Sequence, residues 1–271
     1  MEKLKSEGYV VLNKVFSEEA LRPIRELTDR IIKYGESSLK DPFESYYLRH
    51  RVDQGALYDL FQRHPEFQDL AKSKEILEAL TGILGDDIFL YENSLVYKPK
   101  GKSNEVPWHQ DFIDRPNEPT KLIAWIALDD VKVSNGALKV IPESHKIGFL
   151  PWHTVKGETH HTRVNTNGVD FSKAKYIELN SGDVLIFHQL LLHGSDKVDA
   201  NEARRAYRIS YQGFDNIFTP RGTPIVVHGG SPESLSIRYP DKFAPALEEK
   251  EPKKSLFKRA LNKLGRKLSE L

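Results

Sequence analysis

Leu122-Ile123-Ala124-Trp125-Ile126-Ala127-Leu128 is the longest apolar run in the chain. Seven residues suit a β-strand and fall far short of the roughly 20 that a helix needs to cross a bilayer. On both sides of this run the chain keeps one texture, short β-type runs parted by turn residues. Strands are expected near residues 88–97, 106–111, 122–128, 137–141, 176–179, 184–187 and 205–214. Pro99-Lys100-Gly101-Lys102, Ser134-Asn135-Gly136, Pro142-Glu143-Ser144 and Asn180-Ser181-Gly182-Asp183 separate them. Many short strands at this spacing predict a sandwich or barrel of the jelly-roll kind.

Towards the N-terminus, Gly8-Tyr9-Val10-Val11-Leu12 reads as a short strand. Ser17, followed by Glu18 and Glu19, is a sound helix start, with Leu21, Ile24, Leu27, Ile31 and Ile32 at helical spacing behind it. A second helix is expected over 73–84, with Ile76, Leu77, Leu80 and Leu84 on one side and Gly85 as its stop. Both helices are expected to buttress the sheet. The fold class is therefore mainly β with flanking helices (α+β), as one domain over residues 1–250. Within it, residues 148–175 are polar, rich in His and Gly, and read as a lid-like loop.

The C-terminal stretch, 251–271, differs. Leu256, Phe257, Ala260, Leu261, Leu264 and Leu268 recur at helical spacing among seven basic residues, Lys253 to Lys267. A basic amphipathic helix of this kind can dock on its own protein or on a twin subunit, or it can lie on an anionic membrane surface.

Composition narrows the partners. Among 271 residues, 40 Lys and Arg nearly cancel 39 Asp and Glu, so no global pull towards nucleic acid follows from the formal charge of +1. A hydrophobic share of 39%, with 13 Phe and 11 Tyr, is compatible with a folded core. Zero cysteines exclude disulfides and thiolate metal sites, so any metal must use imidazole and oxygen ligands. The opening Met1-Glu2-Lys3-Leu4-Lys5-Ser6-Glu7 is charged and carries no secretory signal. The expectation is a soluble, cytoplasmic protein, with peripheral membrane contact as the second reading of its basic tail.

Chemistry enters at Trp108-His109-Gln110-Asp111. On a strand, residues two apart point the same way, so His109 and Asp111 could grip one ion. A second histidine, His193, closes the apolar run Leu190-Leu191-Leu192. Taken singly, each has a bland reading: a polar pair on an exposed strand, or a buried and satisfied histidine. Together, two histidines and one carboxylate on one face of a metal form the ligand set of non-haem Fe(II) oxygenases. Such a clamp leaves three positions open, enough for the keto and carboxylate oxygens of 2-oxoglutarate and for dioxygen. The far carboxylate of that cosubstrate calls for an arginine fork. Arg204, Arg205 and Arg208 are at hand; by strand parity Arg204 and Arg208 share one face and Arg205 takes the other. Parity alone leaves open which face looks inward, and the bland reading of all three is a solvated basic edge strand.

The ordered set of His109-Gln110-Asp111, Trp125 to Asp130, Asn135 to His145, Gly182 to His188, His193-Gly194-Ser195 and Arg204 closely resembles the phytanoyl-CoA dioxygenase family over roughly residues 5 to 215. The resemblance implies a double-stranded β-helix that uses Fe(II), 2-oxoglutarate and O₂ to oxidise a substrate C–H bond, releasing succinate and CO₂. It implies His109, Asp111 and His193 as metal ligands and Arg204 as the partner of the distal carboxylate. It adds Ser195 as a hydrogen-bond partner of the cosubstrate, Lys98 from a Lys-Pro segment, and Trp125 as a pocket aromatic. Two departures stand out: no Asn-x-Ser element follows the His-Gly-Ser, and Pro142-Glu143-Ser144-His145 replaces the usual Pro-Gly-Ser-His. Related halogenases lose the carboxylate to make room for chloride; Asp111 is present, so hydroxylation of a small-molecule or lipid-like substrate is the expectation. A jelly-roll binding module with a vestigial metal site and a divalent-metal hydrolase are the alternatives. His188 reads as structural, Asn135-Gly136 as a turn, and Arg115, Arg163 and Arg221 as surface residues. His145, His153, His160 and His161 are either solvated or contacts for an anionic substrate.

Overall fold

The computed structural model describes residues 2–38, 50–51, 55–98, 105–156, 162–197, 204–214 and 224–240. The expected turn at Pro99, His160, His161, Arg221 and the basic stretch 251–271 lie outside the described residues. The chain divides into two compact units, numbered 1–217 with 225–230, and 218–224 with 231–271.

In the first unit, helix α1 (Glu2–Glu7) leads into strand β1 (Tyr9–Leu12), and helix α2 (Glu18–Ser38) follows. Ser17 accepts a hydrogen bond from the Ala20 N–H (3.3 Å), as an N-cap should. Next come β2 (His50–Arg51), β3 (Ala56–Tyr58) and the helices α3 (Leu60–Arg63), α4 (Pro65–Ala71) and α5 (Lys74–Leu84). The strands then run β4 (Ile88–Lys98), β5 (Val106–His109), β6 (Lys121–Ala127), β7 (Leu138–Val140), β8 (Trp152–Thr154) and β9 (Thr162–Val164). They continue as β10 (Lys175–Ile177), β11 (Val184–His188), β12 (His193–Ser195), β13 (Arg204–Gly213) and β14 (Ile225–His228). In the second unit helix α6 (Pro232–Arg238) is capped by Ser231, whose Oγ accepts the Ser234 N–H (3.2 Å).

A large antiparallel sheet has the order β1-β11-β6-β13-β4-β3-β2, with β14 also on β4; a smaller one runs β10-β7-β12-β5. The apolar run 122–128 folds as expected, and its two faces serve different cores. Leu122, Ala124 and Ile126 join Val184, Ile186, Tyr207, Ile209 and Tyr211 in one buried cluster with Leu21, Ile76 and Leu80 of the helices. Ile123, Trp125 and Ala127 join Leu185, Phe187 and Ala206 in another, with Leu138, Val140 and Ile177 of the small sheet. Both faces of these central strands are buried, so they read as continuous apolar runs rather than alternating ones. This is a mostly antiparallel jelly-roll core with helices on one side.

The polar segment 148–175, expected as a lid-like loop, holds the hairpin β8–β9, with Trp152 opposite Val164, and a 3₁₀ turn at Phe171–Lys173. Three residues per strand are too few to show an alternating pattern, and Trp152 is exposed. The strand expected to carry Asp111 stops earlier, at His109. Phe112 adopts left-handed backbone (φ 54), which turns the chain, and the Asp111 N–H donates outside the ladder to the Gln189 carbonyl (2.8 Å).

Candidate active site

Neighbouring strands of the small sheet place the two histidines. His193, at the start of β12, pairs in register with His109, at the end of β5, and their ring centroids are 4.1 Å apart. Each Nδ1 lies against a backbone carbonyl, His109 on Pro107 (2.8 Å) and His193 on Leu191 (2.9 Å). A carbonyl only accepts, so each Nδ1 carries the hydrogen and each Nε2 keeps its lone pair for an ion. The Asp111 Oδ1 lies 3.8 Å from the His109 Nε2. One potential ligand atom from each of His109, Asp111 and His193 falls within 4.8 Å of the others.

Electrostatics keeps the donors in ligating form. Burial, aided by the neighbouring His193, pushes the His109 pKa down to about 4. Burial likewise lowers that of His193. For Asp111, burial works to raise the pKa, but Arg208 and the two histidines outweigh it and hold the carboxyl at about 2. At neutral pH the site offers two neutral imidazoles and a carboxylate.

These three side chains, with Lys98, Trp125, Ser195 and Arg204, all line one cavity of about 290 Å³ between the sheets. The structure thus brings together every site residue expected from the sequence. Arg204 is buried; its guanidinium donates to the Gly136 carbonyl (3.0 Å) and lies over the Trp125 ring (5.2 Å). Its Nε and the Ser195 Oγ are buried polar atoms with no hydrogen-bond partner. Leaving such groups unmatched costs about 1–3 kcal/mol each, so they mark where a polar ligand fits. Lys98 stands opposite Arg204 in the β4–β13 ladder and donates to the Asp196 carbonyl (3.0 Å). Burial, with the adjacent Arg204 charge, lowers its pKa to about 8.

Strand β13 sorts its arginines by parity. Arg204 and Arg208 face the cavity. Arg205 points to the other face, where its fork grips Asp129 (2.7 and 2.8 Å) and reaches Asp29. The strand is central, between β4 and β6, so the basic-edge reading fails. Arg208 was visible in sequence only as the parity mate of Arg204. In the structure it contacts Asp111 at 2.9 Å and Glu92 at 3.0 Å. His188 is structural, as expected: its Nδ1 accepts the Leu190 N–H (3.1 Å) and its ring sits against His145.

The family model for phytanoyl-CoA dioxygenase matches residues 4–206. The chain belongs to the phytanoyl-CoA dioxygenase family. Among relatives, the peroxisomal phytanoyl-CoA dioxygenase of Rattus norvegicus is 26% identical over 84% of this chain and 70% of its own length. The human enzyme is 29% identical over 57% of this chain, and the match spans about half (48%) of that protein. A probable alpha-ketoglutarate-dependent hypophosphite dioxygenase of Stutzerimonas stutzeri is 27% identical over 77% of this chain and 76% of its length. The fold is shared with the non-haem monooxygenase ThoJ, at 17% identity, TM-score 0.70 and 99% and 94% coverage of the two chains. It is shared also with EvdO2 of Micromonospora carbonacea, at 22% identity, TM-score 0.63 and 78% and 88% coverage. Phytanoyl-CoA dioxygenase family enzymes use Fe(II), 2-oxoglutarate and O₂, and this member is a non-haem Fe(II)/2-oxoglutarate-dependent oxygenase. No helix among the described residues is long and apolar enough to cross a membrane.

Proposed function

We propose that this oxygenase hydroxylates a small-molecule or lipid-like substrate and converts 2-oxoglutarate to succinate and CO₂ as it does so. In this reading His109, Asp111 and His193 hold the Fe(II). The observation that carries it is the convergence of their ligand atoms within 4.8 Å in the same cavity as the buried, incompletely bonded Arg204. Bound there, the metal would supply the activation of dioxygen that side chains alone lack. The rest falls to the chain. The Arg204 fork and the Ser195 hydroxyl bind and orient the distal carboxylate of the keto acid. Lys98 adds a second cation, and Trp125 walls that end of the cavity. The buried sheets exclude water from the reacting centre.

Asp111 supports hydroxylation over halogenation, because its carboxylate fills the place a halide would need. A basic stretch at 251–271 supports a second, separate proposal, a substrate met at an anionic membrane surface.

The class is tested by adding Fe(II) and 2-oxoglutarate without oxygen. A weak visible charge-transfer band should develop, and His193→Ala should lack it. A binding module with a vestigial site would give no band in either protein. Succinate release from a metabolite pool, above the background without substrate, then identifies the substrate; substrate turnover that persists without oxygen and yields no succinate would point to a hydrolase.

A further inference from the structure

Asp111 poses a positioning problem. It follows β5 in a turn, and the next residue, Phe112, has left-handed backbone. Sheet register therefore does not set the direction of its carboxylate, as it does for the two histidines. A side-chain partner is needed.

Arg208 is that partner. It projects into the cavity from β13, a strand held on both sides by β4 and β6. Its Nη2 lies 2.9 Å from Asp111 Oδ2 and forms an ion pair with it. Its Nη1 donates to Glu92 Oε1 (3.0 Å), and the guanidinium lies over the Phe112 ring (5.3 Å). Contacts with Asp111, Glu92 and Phe112 together restrain the fork. With Oδ2 drawn to Arg208, Oδ1 is the oxygen 3.8 Å from the His109 Nε2.

We infer that Arg208, braced by Glu92, is a positioning residue that holds Asp111 as a one-oxygen metal ligand. The inference rests on the reading of His109, Asp111 and His193 as a metal site. Its consequence is arithmetic. On a six-position ion, three single-atom ligands leave three places, which a keto acid and dioxygen fill. A carboxylate that swung to bind through both oxygens would take one of them. Arginine suits the task better than lysine, because a planar fork spans two carboxylates in fixed directions while an ammonium does not.

Co(II), a spectroscopic stand-in for Fe(II), tests this without turnover. Arg208→Ala should weaken Co(II) binding by about 10- to 100-fold, the usual effect of losing a partner behind a metal ligand, and should change the visible Co(II) spectrum. Added guanidinium should restore both. Arg208→Lys and Glu92→Gln should shift the spectrum in the same direction by less, while Arg205→Ala, on the opposite face, should leave it unchanged. If Arg208→Ala does not fold, Arg208→Lys and Glu92→Gln decide. Variants that bind Co(II) within twofold of the parent, with its spectrum intact, overturn the role given to Arg208. A parent protein whose Co(II) binding survives His109→Ala instead removes the metal site itself, and the two failures are thereby told apart.

Discussion

Three arginines within five positions of one strand have three different jobs, and their neighbours decide which. Arg205 is fully engaged by Asp129 and Asp29 on the helix-facing side. Arg208 is engaged by Asp111 and Glu92. Arg204 alone keeps a buried N–H without a partner. Burial lowers its pKa to about 10, with Asp129 opposing, so it remains a cation at neutral pH. A buried cation with spare donors suits the proposed role of carboxylate receptor. Arg204→Lys keeps the charge but loses the fork, and hydrogen bonds to charged groups are worth about 1.5–3 kcal/mol each. The apparent dissociation constant for 2-oxoglutarate, read from the anaerobic charge-transfer band, should therefore rise by about 10- to 100-fold. An unchanged constant would mean that the distal carboxylate binds elsewhere, with Lys98 the next candidate. Gly136 completes this corner: its carbonyl accepts from Arg204, and its φ of 97 lets the Lys98 stem pass so close that an added Cβ would sit 2.5 Å from Lys98 Cδ.

Among elements, the central strands were legible because burial on both faces writes an unbroken apolar run, as in β6 and β11. The hairpin β8–β9 and the pair β2–β3 were not legible, since two or three residues carry no periodicity. The candidate residues that meet in one cavity were legible in their types and order, but strand parity was the wrong reason for placing Asp111 beside His109. A turn at Phe112 and an arginine from a distant strand aim that carboxylate, and tertiary pairing of that kind leaves no local trace. Parity did divide Arg204 and Arg208 from Arg205; the inward face was settled by the helices packed over Tyr207, Ile209 and Tyr211. The expected turn at Gly182 also has a tertiary duty. Its carbonyl accepts the Val15 and Phe16 N–H groups (3.0 and 3.1 Å), φ is 91, and an added Cβ would fall 2.1 Å from the Phe16 oxygen. Gly182→Ala should thus destabilise the fold by at least about 1–3 kcal/mol from the backbone alone. Tm should fall while the 2-oxoglutarate affinity of the folded protein stays the same. A parallel loss of affinity would show that this turn reaches the cavity after all.

At the scale of the whole molecule, the cavity joins two sheets: β5 and β12 of the small sheet bring the histidines, and β13 of the large one brings Arg204 and Arg208. Asp111 sits in the turn leaving β5, tied across to β13 by its ion pair. A metal held at this point would close a contact that exists only when the sheets are assembled. Binding to the folded chain alone stabilises it by an amount set by mass action, about 2.7 kcal/mol at a hundredfold excess over the dissociation constant. Little is lost to protons, because the His109 pKa, lowered to about 4 by burial and by His193, leaves its imidazole neutral at pH 7. For a chain of this size each kcal/mol moves Tm by about 2–4 °C, so saturating Co(II) should raise the melting temperature by about 5–10 °C. His193→Ala removes a proposed ligand from β12 and should abolish most of that rise, whereas Arg205→Ala, which disturbs only the opposite face of β13, should keep it. An equal rise in His193→Ala would place the stabilising metal elsewhere in the molecule and detach the chemistry from the cavity.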